Sequence, residues 1–310
     1  MKAIALSFMF FASLCHSYGN DFGHNRMAFI SHEFLKQCGE IDSASAYTPA
    51  DIAHIVDGST SVDTSWGLFS IYNRLFDWHF YNDKFPRSKW LLGDRTFIDP
   101  WRKLLEVYPA TPDKKEKLKL LGGFAHFIED MANPAHVIPV FHMVGIADGV
   151  DDFQSSYYQS APKDLKFNKK LCVQFQQAYQ SLIPLGDIAD ISAIRDWVVK
   201  KTKNELTQSV DHCPDFKWHH FYETPKDGEF WGDFHHQSVT GKTGLNKTKK
   251  VVIGFEGRFL SEQVPGQSCV FTREDYQPFI DRLFESAILG DAILLKSQAG
   301  QFGLPRPLNP

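Results

Sequence analysis

The residues best suited to do chemistry lie in LGGFAHFIEDMANPAHVIPVFH, residues 121–142. His126 and Asp130 stand four apart there, inside a stretch whose pattern predicts a helix over Lys114–Met131. Residues at that spacing share a helix face, so an imidazole nitrogen and a carboxylate oxygen reach one point. His136 follows six residues after Asp130, beyond Asn133-Pro134, a pair that breaks or kinks a helix. A divalent cation such as zinc takes this mixture of ligands. The flanking Leu121, Phe124, Phe127 and Ile128 are apolar, which puts the pair in the core. A buried charged pair without a partner is costly, and a bound metal resolves that cost. The chain is also rich in histidine, with 13 in 310 residues, and histidine is the commonest metal ligand.

Helices must carry these groups. Apolar residues at Met27, Ile30, Phe34 and Leu35 predict a helix over 24–37, closed by Gly39. Residues 50–62 read as a short helix followed by a loop at Gly58-Ser59-Thr60. Helical spacing recurs over 66–80, 101–107, 167–182, 188–206 and 276–295. Residues 143–162 read as loop, and the tail after Gly303 as frayed. Residues 213–273 are rich in glycine and include a β-prone run at Val251–Phe255. The expected fold is therefore mainly α: a single multi-helix domain with a small irregular or β segment near residues 213–273.

The N-terminus predicts a secretory signal. Lys2 precedes an apolar run, Ala3–Leu14, too short to cross a bilayer, and small residues offer cleavage after Ser17 or Gly19. The expected organisation is a signal peptide over 1–17 and a catalytic domain over 18–310, with no transmembrane segment and a secreted location. Cys38, Cys172, Cys213 and Cys269 then remain, an even count suited to two disulfides in any of three pairings. Their spacing fits no zinc finger. The net charge of -4 calls for neither nucleic acid nor an anionic membrane.

The segment around His126 resembles the signature of bacterial zinc-dependent phospholipases C, the family that includes alpha-toxin. That signature runs His, three residues, Asp, five residues, His, with Asn/Gln-Pro before the last His. His126, Asp130, Asn133, Pro134 and His136 fit it. GSTSVD at 58–63, HFYND at 79–83 and FGHNRMAFI at 22–30 are similar to three further family segments, in the family's order. The resemblance covers about residues 20–155, and more loosely a final helix near 274–297. Single-strand-specific zinc nucleases share the central pattern, but GSTSVD and HFYND resemble the phospholipase form more.

The resemblance implies three zinc ions. Asp63, His79, His126 and Asp130 would hold the first. Asp130 would bridge to a second, which takes His24 and the amine and carbonyl of the mature N-terminus. The family usually begins with Trp there; here Tyr18 or Asn20 would stand in. His136 would bind the remaining ion. The family's following His and Glu, four apart, have no counterpart, so His142 and Asp152 are taken as substitutes, with Asp148 and Asp151 as competitors.

The implied activity is hydrolysis of a phospholipid phosphodiester at a membrane surface by a monomer. Asp63 serves there as ligand and proton acceptor, and the products are diacylglycerol and a phosphorylated headgroup. Phe80, Tyr81, Trp66 and Trp78 are either core aromatics or walls of a choline pocket. His219-His220 and His235-His236 read as partly exposed polar pairs, His32 and His54 as structural, and Asn246-Lys247-Thr248 as a glycosylation sequon. A zinc nuclease and a non-catalytic zinc-binding adhesion module are the alternatives.

Overall fold

A computed structural model describes residues 23–64, 80–81, 89–90, 93–94, 97–138, 157, 160–183, 190–210, 213–224, 226, 233–234, 236–237, 249–250, 259–264, 267–271 and 273–302. These residues form a mainly helical domain. Its α-helices are α1 (His24–Gln37), α2 (Ile41–Ser45), α3 (Pro49–Thr64), α4 (Ile98–Ala110), α5 (Lys114–Asp130), α6 (Pro134–Val137), α7 (Lys169–Leu182), α8 (Ile191–Leu206) and α9 (Arg273–Gln298).

Two of these helices form the centre, α5 and α9. Helix α5 starts at Asp113, whose side chain accepts the Glu116 N–H at 2.8 Å. Its first turns carry exposed lysines; from Leu121 to Asp130 every residue is buried. A helix buried all round must be walled on every side. Helices α1, α3, α4, α8 and α9 supply those walls. Helix α9 is buried through Ala287–Leu295 and also packs on α1, α7 and α8.

The predicted loop at Gly58-Ser59-Thr60 is instead the interior of α3. Glycine is a poor helix former, so local propensity argues against a helix there. Tertiary packing overrides it. A Cβ at Gly58 would overlap the Lys119 carbonyl, and one at Gly122 would overlap the Ile55 carbonyl. Two glycines thus let α3 and α5 cross backbone to backbone. The other predicted helices within the described residues are present, with ends shifted by a few residues. The Asn133-Pro134 break is real: the Asn133 side chain caps α6 by accepting the Ala135 N–H at 2.9 Å.

The expected irregular segment holds short antiparallel pairs. Ser209–Val210 pairs with Cys213–Lys217, Tyr222–Glu223 with Asp233–Phe234, and Phe259–Val264 with Gln267–Phe271. Trp218 anchors this segment to α9 by stacking on Phe279, with centroids 4.3 Å apart. Of the expected disulfides, Cys38 is bonded to Cys172, with Cα atoms 5.3 Å apart, and ties the end of α1 to α7. The side chains of Cys213 and Cys269 lie outside the described residues. So do residues 1–22, 66–79, 143–156, 251–258 and 303–310, on which the predicted signal, the helix over 66–80, most of the 143–162 loop, the β-prone run and the frayed tail fall. Among the described residues, no helix is long and apolar enough to cross a membrane.

Candidate metal centre

Three elements deliver the cluster. Helix α1 brings His24 from its first turn. The last two turns of α5 bring His126, Glu129 and Asp130. The Asn133-Pro134 break turns the chain so that α6 brings His136 back toward Asp130. All five side chains are buried, at 3% exposure or less.

Asp130 is the hub. Its Oδ1 lies 3.6 Å from His24 Nε2, and its Oδ2 lies 3.3 Å from His126 Nε2 and 3.9 Å from His136 Nδ1. One ligand atom each from His24, His126 and Asp130 lies within 4.8 Å of the other two. The His24 and His126 rings stack with centroids 4.0 Å apart. His136 stacks on Phe80 at 5.1 Å, and its carbonyl accepts the Tyr81 N–H at 2.9 Å.

These separations bear on two readings of the cluster. A buried imidazole that neutralises a carboxylate by hydrogen bonding sits at about 2.7–3.2 Å. Two ligands sharing a tetrahedral zinc, each at about 2.0–2.2 Å from it, sit about 3.3 Å apart. The observed 3.3 and 3.6 Å fit the second case better. The helix adds a second reason. Glu129 and Asp130 end α5, where the macrodipole is already negative. Two buried carboxylates at that end favour a cation between them and the rings. The two Asp130 oxygens also face different histidines.

His24, His126 and Asp130 are thus brought together, with His136 beside them. Asp63 falls in the last turn of α3, but its side chain lies outside the described residues. His79, His142 and Asp152 lie outside them too, as do Asp148, Asp151, Trp66, Trp78, His235 and Asn246. Phe80 is buried with its ring on His136, and Tyr81 is half-buried with its ring on Phe97 at the edge of the core.

His32 is structural, as expected. Its Nε2 bonds the Ala44 carbonyl at 2.9 Å, and burial lowers its pKa despite that bond. His219 Nδ1 lies 3.3 Å from the Leu206 carbonyl, and His220 Nδ1 accepts the Lys217 N–H.

Sequence reasoning passed over two acids. Glu129 makes a very short contact from its Oε2 to His24 Nδ1. Asp291, on α9, is buried against Glu129. Both were visible in the sequence, Glu129 between Phe127-Ile128 and Asp130, and Asp291 as a single acid between Leu289-Gly290 and Ala292-Ile293.

No protein-family model, curated protein or solved structure matches this chain.

Proposed function

We propose that this chain is a secreted zinc-dependent phosphodiesterase of the phospholipase C type, acting on glycerophospholipids. One observation carries the reading: His24, 102 residues before His126 in sequence, meets His126 and Asp130 at ligand spacing in a buried cluster. Chance surface pairs do not recruit a third ligand from the far end of the chain into the core.

In this reading His24, His126, Asp130 and His136 hold the ions, with Asp63, His79, His142 and Asp152 completing the set. When bound, zinc supplies a Lewis acid that acidifies water and stabilises charge on phosphoryl oxygens. The chain's own residues set the stage. Asp130 orients its two oxygens to different histidines. Phe80 backs His136 and keeps that ring from turning. Asp63 would accept a proton during attack on phosphorus. Export is supported by the Cys38–Cys172 bond, since such bonds persist in oxidising compartments. Nucleic acid is not the preferred substrate, and the chain acts as a monomer at the lipid surface.

The test supplies the processed protein with phosphatidylcholine vesicles and, separately, single-stranded DNA, with and without a chelator. The expected result is release of phosphocholine that stops on chelation. Nucleotide release would move the assignment to a zinc nuclease. Neither product, with zinc still bound, would make the chain a binding module.

A further inference from the structure

A cation stands over the wall of the His–Asp cluster. Thr202 of α8 is buried, and its hydroxyl donates to the Met131 carbonyl at 2.8 Å, one residue after Asp130. That bond seats this turn of α8 beside the end of α5. Lys203, the next residue, is half-buried and holds its ammonium 5.1 Å from the centre of the Tyr81 ring. Tyr81 is tied to the cluster in turn. Its N–H donates to the His136 carbonyl at 2.9 Å, and its neighbour Phe80 stacks on the His136 ring. Phe97 stacks on Tyr81 with centroids 5.9 Å apart.

Other charges of α8 are placed differently. Arg195 lies over Phe97 and Trp101 with Asp196 at 2.6 Å, and Glu205 pairs with Arg282 at 2.6 Å. Lys201 lies over Trp197. Residues two apart on a helix point about 200° apart, so Lys201 and Lys203 serve opposite sides of α8. Lys203 is thus the α8 charge set over Tyr81.

That charge bears on the headgroup. A quaternary ammonium is held on the open faces of aromatic rings. Tyr81 already has Phe97 and an ammonium on it, and the Phe80 ring is stacked on His136, so a second cation there meets like charge at close range. An anion is attracted instead, and lysine is a compact point charge well suited to one. The attraction is local, because the chain as a whole carries a net charge of -4 and does not favour anionic partners.

Given the phosphodiesterase reading above, on which this depends, we propose that Lys203 is a specificity-determining residue that makes the site prefer glycerophospholipids with an anionic headgroup over those with choline. The ammonium faces the headgroup, and the His–Asp cluster faces the scissile phosphate. Phosphatidylcholine is hydrolysed more slowly.

The test uses the processed full chain and short-chain lipids below their micelle concentrations, so that membrane surface charge plays no part. Dihexanoyl phosphatidylglycerol and dihexanoyl phosphatidylcholine are compared by kcat/KM, with and without chelator. The wild type should favour the glycerol lipid. Lys203→Gln should lower that preference about 10-fold, the size expected for one charged contact. Lys203→Arg should keep the preference, and Lys201→Gln should show the wild-type ratio.

A wild type that favours the choline lipid overturns the proposal, and that result needs no variant to fold. An unchanged ratio in Lys203→Gln overturns it too. So does an equal loss in Lys201→Gln, which would assign the effect to net charge. In each of these cases chelator-sensitive hydrolysis persists and the phosphodiesterase reading stands. Hydrolysis of neither lipid defeats that reading and the role of Lys203 together.

Discussion

Asp51 and Asp130 are both buried aspartates, one at the start of α3 and one at the end of α5, and their surroundings differ in kind. Asp51 accepts the Thr48 N–H and hydroxyl, both at 2.9 Å, and the Lys114 ammonium at 3.0 Å. It sits in the first turn of its helix, where the macrodipole favours an anion. Asp130 faces three imidazole rings at 3.3–3.9 Å, at the helix end that disfavours an anion. Lys114 and Asp130 are the first and last residues of the same helix, about 24 Å apart at 1.5 Å per residue. A structural carboxylate is thus known by donors at hydrogen-bond distance. On the proposed reading Asp130 is a ligand carboxylate instead, with ring nitrogens at ion-sharing distance in a place where its charge is otherwise unwelcome.

The comparison breaks most sharply at Asp130. Asp130→Ala should abolish zinc binding and chelator-sensitive activity, and cost about 3–5 kcal/mol of stability as its buried partners lose their counter-charge. Denaturant melts with and without zinc measure this, and the deficit should be larger with zinc. A variant with normal activity and zinc content would end the assignment of Asp130 as a ligand.

Gly122→Ala tests whether packing alone explains the pocket. The added methyl forces α3 and α5 apart at the Ile55 carbonyl. The expected cost is about 1–3 kcal/mol or slightly more, typical of overpacking. The same loss should appear with and without zinc, unlike that of Asp130→Ala. A neutral melt would show that the two helices do not cross so closely.

Asp51→Asn is the mildest change, at about 1 kcal/mol, because it weakens a reciprocal cap with Thr48 and a partly exposed lysine pair. Its pH dependence has a definite sign. Burial raises the Asp51 pKa, but the bonds from Thr48 and Lys114 outweigh it and leave the folded value lowered. The stabilisation is therefore complete above the ordinary carboxylate range and fades as pH falls through the lowered value. Melts of wild type and variant should converge in acid and separate at neutral pH. A constant gap would contradict this account of Asp51.

The helical architecture was largely legible in the sequence, because apolar spacing at Met27, Ile30, Phe34 and Leu35 or over Lys114–Met131 reports the buried faces directly. Gly58-Ser59-Thr60 misled for a physical reason: glycine there serves an inter-helix crossing, which a local reading cannot see. His126, Asp130 and His136 were readable from spacing, and His24 from resemblance to a known segment. Glu129 and Asp291 were not. Neither acid stands at a fixed spacing from the histidines, and the approach of α9 to α5 at Gly290 is set by packing that a local reading cannot see.

The most direct measurement is the zinc content of the processed full chain after zinc loading and gel filtration in metal-free buffer. The account predicts at least one tightly held equivalent per chain, absent when His126→Ala is treated in the same way. Protein that emerges folded and zinc-free would contradict it.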